Sequence, residues 1–234
     1  MEEVRAACGD DDLLMWTAQG LRAGARSWSL AGAVVSAAPS LARHHRLAVW
    51  GDTTSAISLV RHAWAELGPA YRPLGDTRTI TDLASKIDGL EVAGEFSWMS
   101  LNTAPPTNDP DVTWLHDETE VATLLSTSAP NSYAAPGTPG VTRWAGLRVD
   151  GKLAAVAADA WSAPDVGFLA GVATDAEFRG RGLGERICRW TSQELVRAHG
   201  RAALMVDDDN GPALGVYRRI GYIRRRIAAA SLAG

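Results

Sequence analysis

The chain is poor in cysteine, lysine and phenylalanine, and it has no long apolar run. Two of its 234 residues are cysteine, Cys8 and Cys188, far apart and without metal-ligand or redox spacing. That excludes a disulfide framework and a cysteine zinc site, and it fits a reducing compartment. No stretch approaches the ~20 apolar residues that span a bilayer. The acidic start Met1-Glu2-Glu3-Val4 lacks the apolar core of a secretion signal. The expectation is a cytoplasmic protein with no membrane contact. Lysine stands only at 86 and 152, so arginine carries nearly all the positive charge, and it crowds the last quarter of the chain. The net charge of -4 argues against a dedicated nucleic-acid binder. Isolated histidines give no metal site. His44-His45 are adjacent, so on a strand they point to opposite faces and cannot easily chelate one ion; a solvated turn before a strand is the commoner explanation.

Glycine, in contrast, is concentrated where it carries meaning. The run Phe168 to Ala173 reads as a buried strand ending at Thr174-Asp175. Gly180, Gly182 and Gly184 then alternate, with Arg179 and Arg181 beside them. A helical pattern follows through Leu183, Ile187, Trp190, Thr191, Leu195 and Ala198 to a stop at Gly200. The first N–H groups of a helix lack internal partners and carry about half a positive charge, and glycines let an anion come close. This predicts a phosphate or pyrophosphate site. It is not a P-loop, because Glu185-Arg186 stand where Lys-Ser/Thr would be needed. It is not a dinucleotide fingerprint either, since the third glycine comes one residue early. A glycine-rich turn with solvated arginines is the bland alternative.

Around this stretch the chain alternates strand and helix signals. In the first half, a helix is expected from Asp10–Asp12 to Leu21, strands over 28–37 (broken by Pro39) and 46–50, helices over 53–67 and 81–90, and a strand over 96–101. The proline-rich segment 103–110 reads as a linker, dividing the chain into 1–104 and 111–234. The second half reads β-α-β-β-β-α-β-α-β, with a hairpin across Asp150-Gly151, a strand over 201–206, a helix opened by Asn210-Gly211-Pro212 and a last strand from Tyr222. The expected class is α/β (α+β), a mixed, largely antiparallel sheet flanked by helices.

Arg179-Gly180-Arg181-Gly182-Leu183-Gly184, followed by Asn210, Tyr217 and Gly221-Tyr222, resembles the paired signatures of the GCN5-related N-acetyltransferase (GNAT) superfamily. Trp144 to Leu153, preceded by Pro136-Gly137, is similar to its FR47-like branch. The likeness covers roughly residues 112–230, and that branch often carries a degenerate GNAT-like half in front. The resemblance implies acetyl transfer from acetyl-CoA, or another acyl-CoA, to the amine of a small molecule or peptide, with no metal. Carried over, Val172, Ala173 and Thr174 offer strand-edge backbone to the pantetheine and thioester, and the N–H groups of 180–184 take the pyrophosphate. Arg179 and Arg181 assist, Asn210 binds near the pantetheine, and Tyr217 protonates the leaving thiolate. A phenol of pKa about 10 holds its proton at neutral pH and can donate it.

Many relatives place a glutamate base where this chain has Met205. Asp207, with Asp208 and Asp209, is the nearest acidic substitute, and Asp165 and Glu177 are weaker ones. Because only 13 residues follow Gly221, the family's usual last pair of strands is one short. The missing strand would come from the first half, with 96–101 the candidate, or from a second copy in a homodimer. The competing reading is a silent acyl-CoA-binding module.

Overall fold

The computed structural model describes residues 1–22 and 24–233. The chain runs α1 (Glu2–Ala7), α2 (Asp12–Ala18), β1 (Arg26–Leu30), β2 (Ala33–Leu41), β3 (His44–Gly51), α3 (Thr53–Leu67), β4 (Arg72–Asp76), α4 (Thr77–Lys86) and β5 (Leu90–Leu101). It continues with β6 (Val112–Trp114), α5 (Thr119–Ser128), β7 (Val141–Val149), β8 (Lys152–Ala160), β9 (Gly167–Thr174), α6 (Leu183–His199), β10 (Ala202–Val206), α7 (Gly211–Ile220) and β11 (Ile223–Leu232). The mixed, largely antiparallel sheet with helical flanks is the expected class.

One 11-stranded sheet crosses the whole molecule, in the order β1-β2-β3-β4-β11-β5-β10-β9-β8-β7-β6. The loop after β5 carries the prolines at 105, 106 and 110, yet the hydrogen-bond ladder ignores it. β5 lies between β10 and β11, with Val206 opposite Ser97 and Ile223 opposite Ser100. β11 pairs on its other side with β4. The strand missing from the second half is therefore β5 of the same chain, longer than the segment expected at its C-terminal end.

Local chemistry explains the element boundaries. Asp11, Asp52 and Asp76 each accept an N–H bond at the start of α2, α3 and α4, which caps orphan helix donors. The Asp76 cap starts α4 at Thr77, four residues before the expected start. Residues 28–37 form two strands instead of one, because Ala31 and Gly32 take positive φ and turn the chain. Pro39 does not end β2. It is exposed and sits where the β2–β3 register shifts, beyond the last residue paired with β1, so its missing N–H breaks no ladder bond.

Three apolar clusters fill the two faces. α3 and α4 cover one end, and α6 and α7 cover the same face of the second half. On α6, Leu183, Ile187, Thr191 and Leu195 are buried as the pattern required, each large aliphatic contributing about 1.5–3 kcal/mol. Ala198, assigned to that face, is exposed. On the opposite face Trp16 of α2 stacks on Phe168 of β9 at 4.6 Å, with Trp98 of β5 at 5.8 Å from the same ring. Indole donors lock this joint: Trp16 Nε1 donates to Trp161 O and Trp98 Nε1 to Asp12 Oδ1, both at 2.8 Å.

Candidate active site

The sheet opens at one place. β9 and β10 are parallel neighbours, paired only through Ala202–Gly167 and Ala203–Phe168. Past Phe168 the strands part, and the β9 edge from Leu169 to Thr174 has no strand on its β10 side. A bulge re-aims it. Ala158 faces Ala170 while Val156 faces Ala173, so Gly171 and Val172 share one partner position. Gly171 holds φ +61°, and a Cβ there would lie 2.4 Å from the Trp144 ring.

After β9 the glycine turn leads into α6. Gly180 and Gly182 adopt φ +76° and +75°, and an added Cβ at either would meet nothing within 4 Å. These glycines serve the turn's backbone shape and leave its outer surface open. Gly182 is the N-cap and supplies no side chain, and among the described residues the N–H groups of Gly180, Arg181, Gly182, Leu183 and Gly184 find no acceptor. Five free donors at the positive end of a 17-residue helix form an anion cradle. Arg179 is exposed but engaged: its guanidinium donates to Thr174 O and Ser128 O, both at 3.2 Å, and so ties the turn to the end of α5. Arg181 lies over the Phe178 ring at 5.3 Å.

A cavity of about 580 Å³ runs from the β9–β10 opening across the sheet face. Val172, Asn210, Tyr217, Asp207 and Met205 line one end, and His44, Arg46 and Arg72 line the other. Asn210 caps α7, accepting from Ala213 N–H at 3.2 Å, which leaves its amide N–H₂ available. Asp207 is exposed at the end of β10. Asp208 is committed elsewhere. It takes a hydrogen bond from the Ser97 hydroxyl and ion pairs from Arg224 (2.8 Å) and Arg226 (3.1 Å), and these donors hold its carboxyl below the usual range. Asp165 pairs with Arg5 and Glu177 with Lys152, away from the cavity. Met205, in place of a glutamate, presents no base.

Tyr217 is 7% exposed, and its hydroxyl makes no hydrogen bond among the described residues. Its neighbour Tyr222, 5.8 Å away ring to ring, shares one with Ser192 at 2.8 Å. Burial first, then Cys188 and Tyr222 nearby, push the Tyr217 phenol well above its ordinary pKa. Cys188 is pushed up to about 12 by burial, and Tyr222 is raised for the same reason. All three are neutral at physiological pH. Their folded-state pKa values exceed the unfolded ones, so the protein should lose stability as pH rises through about 9 and beyond, where the unfolded chain ionises and the folded one does not. Each group contributes a slope of about 1.4 kcal/mol per pH unit in that window. Urea midpoints flat between pH 8 and 10.5 would contradict this.

His44 was expected in a solvated turn. It is half-buried, on the same face of β3 as Arg46, and faces the Tyr133 ring edge-on at 6.1 Å. Burial, then the charges of Arg46 and Arg72, bring its pKa down to about 4, so it is neutral at pH 7. Sequence reasoning missed the His44–Arg46–Arg72 group altogether. The available signal was an arginine two residues after a histidine at the mouth of the apolar run Leu47-Ala48-Val49.

These features define a class: a parallel strand pair that splays open, a bulged strand edge, a glycine cradle at a helix N-terminus and an aromatic hydroxyl between them. Residues 145–229 match the family model described as FR47-like protein. The fold is also that of solved GNAT structures. A GCN5-related N-acetyltransferase from Kribbella flavida has a TM-score of 0.63 at 18% identity, over 99% of this chain and 95% of its own. One from Sphaerobacter thermophilus has 0.54 at 14%, covering 85% and 75%. A GCN5-related N-acetyltransferase-like protein from Streptococcus suis has 0.54 at 11%, covering 99% and 97%. No curated protein matches the chain. The chain thus resembles the FR47-like family over residues 145–229 and shares the fold of solved GNAT structures. No helix among the described residues is long and apolar enough to cross a membrane.

Proposed function

We propose that the chain moves an acetyl group from acetyl-CoA to an amine, by direct attack with Tyr217 as the acid. The observation that carries this reading is the unbonded, protonated Tyr217 hydroxyl beside the gap between β9 and β10. In it, the free N–H groups of 180–184 hold the pyrophosphate of CoA. The thioester lies along Val172, Ala173 and Thr174, where a backbone N–H stabilises the oxyanion as the amine attacks. The C–S bond then breaks, and Tyr217 gives its proton to the departing thiolate. Asp207 stands at the cavity mouth to attract the cationic amine or, through water, to take its proton. Arg179 acts by holding the cradle to α5, and Asn210 offers its amide to the pantetheine.

The test pairs binding with turnover. Calorimetric titration with CoA should give a defined affinity that Gly182→Trp lowers at least tenfold, since the indole would occupy the cradle; equal affinities would move the pyrophosphate elsewhere. Thiol release from acetyl-CoA across a panel of amines tests the chemistry. Tight CoA binding without thiol release for any amine would instead make the chain a silent acyl-CoA-binding module.

A further inference from the structure

Two charged residues are fully buried among those described, Arg46 and Asp159. Asp159 is answered: Arg143 Nε lies 3.1 Å away, and the Ser162 hydroxyl donates to it. Arg46 is not. At 4% exposure it forms no ion pair among the described residues. Nε and Nη2 reach the carbonyls of Leu41 and Ala42 only at 3.3 and 3.5 Å, and Nη1 donates to no group there. A buried guanidinium without an anion is an expensive arrangement, because desolvation removes water's stabilisation and two long bonds to neutral carbonyls replace little of it. Burial brings Arg46 down to about 10, so it stays charged at neutral pH.

The surroundings sharpen the point. Arg72, directly beside Arg46 in the β3–β4 register, adds a second cation, and neutral His44 adds a third donor. The arginines of β11 contrast with these, since Arg224, Arg225 and Arg226 all pair with carboxylates. Both Arg46 and Arg72 line the cavity that begins at Tyr217.

Building on the acetyl-transfer reading, we infer that the acceptor is an amine carrying a remote oxyanion, carboxylate or phosphate, which Arg46 and Arg72 bind at the far end of the cavity. Arginine suits this role because its planar fork can donate two parallel bonds to such a group. The separation sets the length. β3 and β10 are four strand positions apart, about 19 Å of backbone across the sheet, only part of which an arginine side chain spans. The amine and the anion of the acceptor are therefore several bonds apart. Asp207 stands at the amine end and the arginines at the other, and the one further carboxylate of the lining, Glu95, is paired with Arg226 at 2.9 Å.

The experiment compares acceptors that differ only in the terminal group: 6-aminohexanoate, 6-aminohexyl phosphate and 6-aminohexanamide, with glycine as the short control. The expected kcat/KM favours an anionic acceptor over the amide by roughly tenfold or more, as charged hydrogen bonds to arginine are typically worth, and favours either over glycine. The better of carboxylate and phosphate identifies the group. Arg46→Met should collapse the ratio toward one, and Arg72→Gln at the rim should lower it severalfold. Equal kcat/KM for the anionic and neutral acceptors in the wild type, or an unchanged ratio in a folded Arg46→Met protein, would overturn the inference. Binding is read separately by calorimetry, with N-acetyl-6-aminohexanoate against its amide on the CoA-saturated protein. Selective binding of the carboxylate with no turnover of any amine would sink the acetyl-transfer reading and leave the anion site standing. No selectivity in binding, with turnover present, would sink the anion site alone.

Discussion

Tyr217→Phe should lower kcat by about 10² to 10⁴, the usual range for a lost general acid, while CoA binding and thermal stability change little. The fold does not use this hydroxyl: it has no hydrogen-bond partner among the described residues, and the ring keeps its edge-on contact with Tyr222. Deleting the oxygen removes no cohesion and leaves no orphaned donor. It removes the proton that the leaving thiolate needs. Two readouts separate this role from mere packing. In the wild type, kcat should not decline through pH 10, because burial holds the phenol proton well beyond the ordinary range. In the variant, an acetyl thioester of a more acidic thiol should recover part of the loss, since such a thiolate departs without help. Wild-type turnover in Tyr217→Phe, or no recovery with the better leaving group, would remove the assignment.

Gly171→Ala should destabilise the protein by roughly 2–4 kcal/mol. The residue holds φ +61°, a region that costs an L side chain about 1–2 kcal/mol. Its new Cβ would lie 2.4 and 2.8 Å from two atoms of the Trp144 ring, and 3.1 Å from the Ala134 Cβ. Trp144 is fully buried and cannot swing aside without moving its neighbours; overpacking of this kind adds about 1–3 kcal/mol. For a chain of this size the shift in Tm is about 2–4 °C per kcal/mol, so scanning calorimetry should show a drop of roughly 5–15 °C. Because the bulge sets the direction of the β9 edge at the opening, residual folded protein should also turn over more slowly. A Tm within 2 °C of the wild type would mean that the bulge tolerates a side chain.

What the sequence revealed and what it hid divide along a physical line. The glycine turn, the Asn210 cap and the Gly200 and Gly221 stops were legible because each depends on a few adjacent residues and a backbone geometry few side chains accept. The alternation of buried residues on α6 was legible for the same local reason. The turn at Ala31-Gly32 was not, because alanine at positive φ is rare and carries no turn signature. β4 was overlooked because Pro73 and Gly75 are poor strand formers. It is a strand because β3 and β11 lie on either side, and Gly75 is required where an added Cβ would lie 2.7 Å from Val49 O. The group of His44, Arg46 and Arg72 was hidden most deeply. Strand alternation puts His44 and Arg46 on one face, but only tertiary structure brings Arg72 alongside and lays all three along the cavity of Tyr217.

The position of β11 has a consequence for how the molecule is made. This strand, late in the chain, occupies the sheet's interior between β4 and β5, and its partner residues on β5 stand more than a hundred positions earlier. Until residues 223–232 emerge and insert, β4 and β5 each present an open, hydrogen-bonding edge, the kind of surface on which chains cross-pair and aggregate. Contacts so distant in sequence also make for slow folding. The burden during synthesis therefore falls on holding those two edges apart, and a fragment lacking β11 should be an aggregation-prone species while the chain that contains it is not.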